Sequence, residues 1–319
     1  RGRFAEDFEV DKLWYAHVTP ELDEEFEIAE RTLRGLLPLS LREGDEEVAQ
    51  LYQNNFGARG VSTVERMDAV VEALVGDPAK DAHAVFRGVN VAPIKPAGMS
   101  KLQIEVLAPE EDSDAYSEPL DDAPLARTRL DRFFEGKDEH GEALTHDGGS
   151  PLPQGTPAVD SDLMRLADFV RLRRKLRMGG LDLLRAANQK RNNTSVVLRL
   201  TYGDKRLLLA GDAELKSWEL MRKHAPASLA SDVVKVSHHG SHNASPEGIF
   251  EVVLPEVAQA NAVVLSSDPN RYTPEKYKNE VPKQEVLAGW RGRLGQSWRF
   301  FRTYREPLGG SVWVRFGGS

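Results

Sequence analysis

The sequence predicts an α/β domain, and three observations carry that prediction. Two strand-like runs, Val196 to Thr201 and Lys205 to Ala210, are joined at Gly203-Asp204, a composition suited to a tight hairpin. A stretch that fits a helix, Glu214 to His224, follows directly and leads into an apolar run from Val233 to Ser237. Another apolar run, Ala262 to Ser266, comes after an intervening helix. Strands alternating with helices bury their apolar faces in layers, which is the α/β arrangement.

The elements before this region are read from their periodicity. Phe8 to Tyr15 suggests a short strand, and Leu22 to Leu36 and Val64 to Val75 carry apolar residues at helical spacing. Between Met99 and Leu107, Leu102, Ile104 and Val106 alternate with Lys101, Gln103 and Glu105, the period of a half-buried strand that Pro109 ends. Residues 110–162 are rich in Asp, Glu, Pro, Gly and Ser, and are expected to form an irregular, exposed acidic insertion within a single domain spanning 1–319. Helical periodicity with many basic residues returns from Leu163 to Ala187, broken at Gly179-Gly180, and Ser297 to Phe316 reads as a β-hairpin around Pro307 to Gly310.

Composition narrows the chemistry. With no cysteine, disulfides, thiolate zinc sites and a Cys nucleophile are excluded, so a metal would rest on His, Asp and Glu. No apolar run approaches the length of a membrane span, and a cytoplasmic setting is the expectation. A net charge of -8 argues against a surface coated for nucleic acid, while leaving room for a local basic groove.

Two strand ends carry side chains suited to a metal. One is Leu207-Leu208-Leu209-Ala210-Gly211-Asp212; the other runs from Val233 through Ser237-His238-His239-Gly240-Ser241-His242-Asn243. Open α/β sheets bind ligands beyond the carboxyl ends of their strands, so both tips are expected to face one crevice. Asp212 alone reads equally well as the N-cap of the helix that starts near Glu214. The histidines read less easily as packing, since three of the chain's eight fall within five residues and imidazole is a common zinc ligand.

Taken in series, Asn192-Asn193-Thr194-Ser195-Val196-Val197-Leu198, Leu207 to Ala213 and Lys235 to Ala244 resemble the metallo-β-lactamase-fold domain of ComEC-type DNA-uptake proteins and their stand-alone relatives. The resemblance covers about the last 40% of the chain. It implies an αββα sandwich with a two-metal site, zinc or manganese, at one edge of the sheets. It also implies that Asp212 matches the aspartate bridging the metals and that His238 or His239 matches a late histidine ligand. His238 is preferred because it follows the strand directly, while His239 and His242 are left as ligand, proton carrier or outer partner.

The family's first motif, His-x-His-x-Asp-His, is absent. His17, His83, His140 and His146 stand alone, with His17 the least dismissible because it follows Lys12-Leu13-Trp14-Tyr15-Ala16. The chain is therefore expected to be the C-terminal part of such a domain, its site completed by an upstream segment or another chain. Where some relatives place a further His before Pro, this chain has Ala108.

The implied activity is metal-dependent hydrolysis of a phosphodiester in nucleic acid or a nucleotide, with two ions roughly 3.5–4 Å apart activating a water. Two regions are candidates for phosphate contact. One is Arg171 to Arg177 with Lys190 and Arg191; the other is Arg291, Arg293, Arg299, Arg302 and Arg305 interleaved with Trp290, Trp298, Phe300, Phe301 and Tyr304. The alternative is a non-catalytic scaffold that keeps the fold to bind a partner.

Overall fold

The computed structural model describes residues 13–17, 74, 81–91, 100–116, 189–256, 261–266, 281–295 and 300–302. The chain divides into two compact units, one of Arg1–Val10, Thr19–Pro78 and Ser117–Lys190, the other of Asp11–Val18, Ala79–Tyr116 and Arg191–Ser319. Nearly all described residues belong to the second. The expected helices at 22–36 and 163–187, the hairpin around Pro307, His140 and His146 lie outside the described residues, as does nearly all of the helix at 64–75.

Eight strands are present among the described residues: β1 (Leu13–Ala16), β2 (Ala82–Val85), β3 (Leu102–Ala108), β4 (Val197–Tyr202), β5 (Lys205–Leu209), β6 (Val233–Lys235), β7 (Ala262–Leu265) and β8 (Phe300–Arg302). Helices α1 (Leu215–His224) and α2 (Pro226–Leu229) follow β5, α3 (Ile249–Val253) follows β6, and α4 (Gln284–Leu294) precedes β8. Strands β3 to β8 form one sheet in chain order. The β3/β4 and β4/β5 pairs are antiparallel, whereas β5/β6, β6/β7 and β7/β8 are parallel. The change of sense follows from the connections. Gly203-Asp204 turns the chain back at once, with Gly203 at φ 63, while each parallel step must carry the chain back through longer connections that hold these helices.

The alternation read in β3 divides its side chains between two cores. Ile104 and Val106 join Trp14, Val85, Val91 and Leu198 in one cluster, so the parallel pair β1/β2 packs on that face. Leu107 and Ala108 both join the other cluster, with Val197, Leu208, Val234 and Val263 from the sheet and Trp218, Met221, Leu254, Leu287 and Trp290 from the helices. A register shift between Val106 and Ala108 is what lets two consecutive residues face the same core. The described fold is thus α/β, with helices on one face of a mixed six-stranded sheet and a strand pair on the other. No described helix is long and apolar enough to cross a membrane.

The first residues of the expected acidic insertion are built into this core, which corrects the reading of an exposed stretch from Glu110. Ser113–Tyr116 form a 3-10 turn in which Glu110, Ser113 and Tyr116 are buried. The Glu110 carboxylate takes both a 2.8 Å bond from Arg87 Nε and a 2.7 Å bridge from Arg87 Nη2, and the Glu110 N–H donates to the Tyr116 hydroxyl oxygen at 2.8 Å. Acidic composition argued for exposure, but a carboxylate met by a guanidinium can be buried.

Burial pushes the Tyr116 hydroxyl up to about 12, against a smaller opposing effect of the Glu110 backbone hydrogen bond. A raised folded-state value means that the unfolded chain loses this proton first. Stability is therefore expected to be level below about pH 10 and to fall by on the order of 2 kcal/mol as pH rises toward 12. Urea titrations at several alkaline pH values check this, and Tyr116→Phe should remove that part of the slope; an unchanged slope would refute the assignment.

Candidate functional site

The register brings one end of several strands to a common edge. Ala108 lies beside Val197, Leu198 beside Leu209, Leu209 beside Lys235 and Lys235 beside Val264. Because β5, β6 and β7 run parallel while β4 runs against β5, the start of β4 and the ends of β5, β6 and β7 meet there. The expectation that the strand tips at Asp212 and His238 lie side by side holds: β5 and β6 are paired, and the His238 N–H donates to the Gly211 carbonyl at 3.2 Å.

The Asn192–Ser195 segment organises the turn that carries Asp212. Gly211 adopts φ 54, and a Cβ there would stand 3.0 Å from the Val196 carbonyl oxygen. This close approach lets the Asp212 N–H donate to Ser195 Oγ at 3.3 Å. Asp212 is not the helix cap that the sequence allowed. The N-cap of α1 is Glu214, which makes no side-chain capping bond. Instead Asn193 Oδ1 accepts the Ser217 N–H at 3.0 Å, and Ser217 Oγ donates to the Asn193 carbonyl, so the cap comes from outside the helix.

Freed from capping, the Asp212 side chain is 44% exposed, with Oδ1 3.9 Å from Lys235 Nζ. Lys235 Nζ also donates to the Gly211 carbonyl at 2.9 Å. Burial lowers the Lys235 ammonium from its usual range, and the Asp212 charge partly offsets that effect.

The histidine segment is held in a backbone conformation that L-residues rarely adopt. His238 has φ 40 and ψ 50, His239 has φ 54 and ψ 18. Each such residue costs on the order of 1–3 kcal/mol and persists only where its surroundings over-determine it. Several bonds do so here. Ser237 Oγ donates to the Ala213 carbonyl, Ser241 N–H donates to the His238 carbonyl at 2.9 Å, and Trp218 Nε1–H donates to the Ala244 carbonyl at 2.9 Å. Gly240 at φ 77 completes the turn, and a Cβ there would stand 2.8 Å from Pro282 Cβ.

The two rings face different groups through Nδ1. His239 Nδ1 lies 2.8 Å from the Ser266 carbonyl oxygen, which can only accept, so Nδ1 is the donor. His238 Nδ1 lies 3.0 Å from Glu214 Oε1, although not in hydrogen-bond alignment. Glu214 is 2% exposed, and its Oε1 accepts from Asn192 Nδ2 at 2.7 Å. His242 lies in the next 3-10 turn, His242–Ala244, and is exposed.

A metal-binding reading can be tested against these donors. His239, whose Nδ1 is bonded to the Ser266 carbonyl, keeps Nε2 as its other ring nitrogen, the usual arrangement of a ligating histidine, and Asp212 stands exposed at the same edge, so the donor chemistry of these two residues fits. Among the described residues, no three His, Asp or Glu side chains form a group that could hold a metal ion.

Other sequence candidates take structural places. His17 donates its N–H to the Val85 carbonyl at 3.1 Å, and its ring packs edge-on against Phe86 with centroids 5.5 Å apart. Two residues of the basic and aromatic run near the C-terminus have structural places, while Trp298, Arg299, Tyr304 and Arg305 lie outside the described residues. Trp290 is buried against Phe250, and Arg293 donates to the Leu254 and Pro255 carbonyls at 2.6 and 2.5 Å. Arg293 thus satisfies carbonyls left open at the end of α3. Sequence reasoning missed Glu214, Lys235 and Ser266. A Glu at a helix start passes for an ordinary partner of the helix dipole, and only its burial marks it out.

No protein-family model matches the chain, and no solved structure matches it. Over 108 residues, 34% of its length, the chain is 28% identical to "Uncharacterized protein YcaI" of Escherichia coli (strain K12). The match spans 13% of that longer protein.

Proposed function

We propose that this chain is the C-terminal part of a metallo-β-lactamase-fold hydrolase of the ComEC-like group, a phosphodiesterase or nuclease acting on nucleic acid or a nucleotide in a cytoplasmic setting. The observation that carries the reading is the juxtaposition of the Asp212 and His238 strand ends, with His239 Nδ1 bonded to the Ser266 carbonyl and His238 Nδ1 3.0 Å from the Glu214 carboxylate. The layering of helices, sheet and strand pair supports an αββα sandwich as the complete fold.

In this reading Asp212 and Nε2 of His238 or His239 hold divalent metal, zinc or manganese, and His242 serves as outer partner or proton carrier. Bound there, two ions would bring the pKa of a shared water toward neutrality and offset charge on a phosphoryl oxygen. Lys235 places a positive charge 3.9 Å from Asp212, which favours an anionic substrate. The remaining ligands are assigned to a His-x-His-x-Asp-His segment supplied from elsewhere, since a catalytic zinc needs three protein ligands.

One observation favours the scaffold alternative. Ala108 occupies the strand end that resembles a histidine position, and its methyl group is buried in the core. The test is to measure metal content and cleavage of single-stranded DNA, RNA and small nucleotide diesters, for this chain alone and for a form bearing the His-x-His-x-Asp-His segment. The extended form is expected to bind zinc or manganese and turn over, while the 319-residue chain binds weakly and shows little activity. An extended form that binds no metal would establish the scaffold reading instead.

A further inference from the structure

The geometry points to Glu214 as the positioning residue of this site: its buried carboxylate holds His238 by Nδ1, so that Nε2 is the nitrogen His238 presents to a ligand. The inference deepens the metallohydrolase reading and rests on it for what the ligand is.

Three observations converge on the pair. Glu214 is 2% exposed and carries no helix-capping bond, so local helix geometry does not account for a carboxylate there. Its Oε1 is fixed from one side by Asn192 Nδ2 at 2.7 Å and stands 3.0 Å from His238 Nδ1 on the other. Glu214 Oε2 and His238 Nδ1 are both buried without a hydrogen-bond partner of their own, which leaves an acceptor and a ring nitrogen in want of each other. A buried acceptor facing a buried ring nitrogen selects the tautomer with the proton between them.

The strained backbone adds the reason for such a device. With His238 at φ 40, its ring leaves the strand in a direction set by the turn and not by β6. A carboxylate anchored on the next element, at the head of α1, then fixes the ring's rotation. His239 has the equivalent anchor in the Ser266 carbonyl, so the two adjacent rings are steadied by different elements, one by α1 and one by the end of β7. Asn192 belongs to the same arrangement because it holds the carboxylate in place from the lead-in to β4.

The test reads the tautomer directly. Ring nitrogen chemical shifts of His238 are measured in the metal-free 319-residue chain labelled with 15N-histidine, with the signal assigned through His238→Gln. The wild-type ring is expected in the Nδ1–H form and Glu214→Ala is expected to return it toward the Nε2–H form, while the His239 signals keep their Nδ1–H pattern. Asn192→Ala, which leaves the carboxylate but removes its anchor, should give an intermediate shift and serves if Glu214→Ala does not fold. In the form that carries the full ligand set, Glu214→Ala is expected to weaken zinc binding about 10–100-fold. A wild-type His238 in the Nε2–H form would overturn the assignment whatever the zinc result. An Nδ1–H ring that depends on Glu214, in a protein that binds no zinc in either form, would uphold the pair and remove the metallohydrolase reading alone.

Discussion

Trp218→Ala is expected to destabilise the protein by about 3–5 kcal/mol, the range for truncating a buried tryptophan. The side chain is 2% exposed and belongs to the helix-side core, where its indole fills space among residues of α1, α3 and the sheet. Its Nε1–H also donates to the Ala244 carbonyl at 2.9 Å, which ties the turn bearing His242 to α1. Trp218→Phe keeps much of the bulk and loses the hydrogen bond, so a smaller loss of roughly 1–2 kcal/mol is expected. Urea unfolding of the three proteins decides the matter. If Phe costs as much as Ala, the hydrogen bond and not the packing volume dominates, and the role given to the core here is wrong.

The second large effect concerns Asp212. If the proposed metal site is right, Asp212→Ala in a form carrying the His-x-His-x-Asp-His segment is expected to lower turnover beyond the 10–100-fold loss that follows removal of an outer partner of a metal site, because in that reading Asp212 is itself a ligand. Stability should change by less than about 1 kcal/mol, since the carboxylate is 44% exposed and its ion pair with Lys235 is long at 3.9 Å. Steady-state cleavage assays and thermal unfolding on the same preparations separate the two. Undiminished turnover would show that the reaction does not pass through this strand end, and a collapse in stability would show that Asp212 is structural.

The contrast between these two residues reflects what each kind of evidence could reach. The sequence by itself determined the local elements with strong periodicity: β3 from its alternation, the β4–β5 hairpin from Gly203-Asp204, α1 from its helical spacing, and β6 and β7 from short apolar runs. It also determined that Asp212 and the histidines sit just past strand ends, because an apolar run that stops at Gly or Ser marks the end of a buried strand. Elements with weak local signals escaped it. Strand β2 is only Ala82-His83-Ala84-Val85, and α4 carries Gly289 and Gly292, poor helix formers. Gly289 is explained only by its neighbour: a Cβ there would meet the Phe250 ring at 2.3 Å, so any side chain would force the ring that packs on Trp290 to move.

Tertiary structure alone decided which charged groups are partners. In the sequence Glu110 reads as part of an exposed acidic stretch, Glu214 as the start of a helix and Arg293 as a cation free to meet phosphate. In the fold Glu110 meets Arg87 across 23 residues of sequence, Glu214 meets His238 across 24, and Arg293 reaches the Leu254 carbonyl across 39. Periodicity reports the direction a side chain takes from its own element. It carries no information about what stands opposite, and burial of a charge depends on that opposite group.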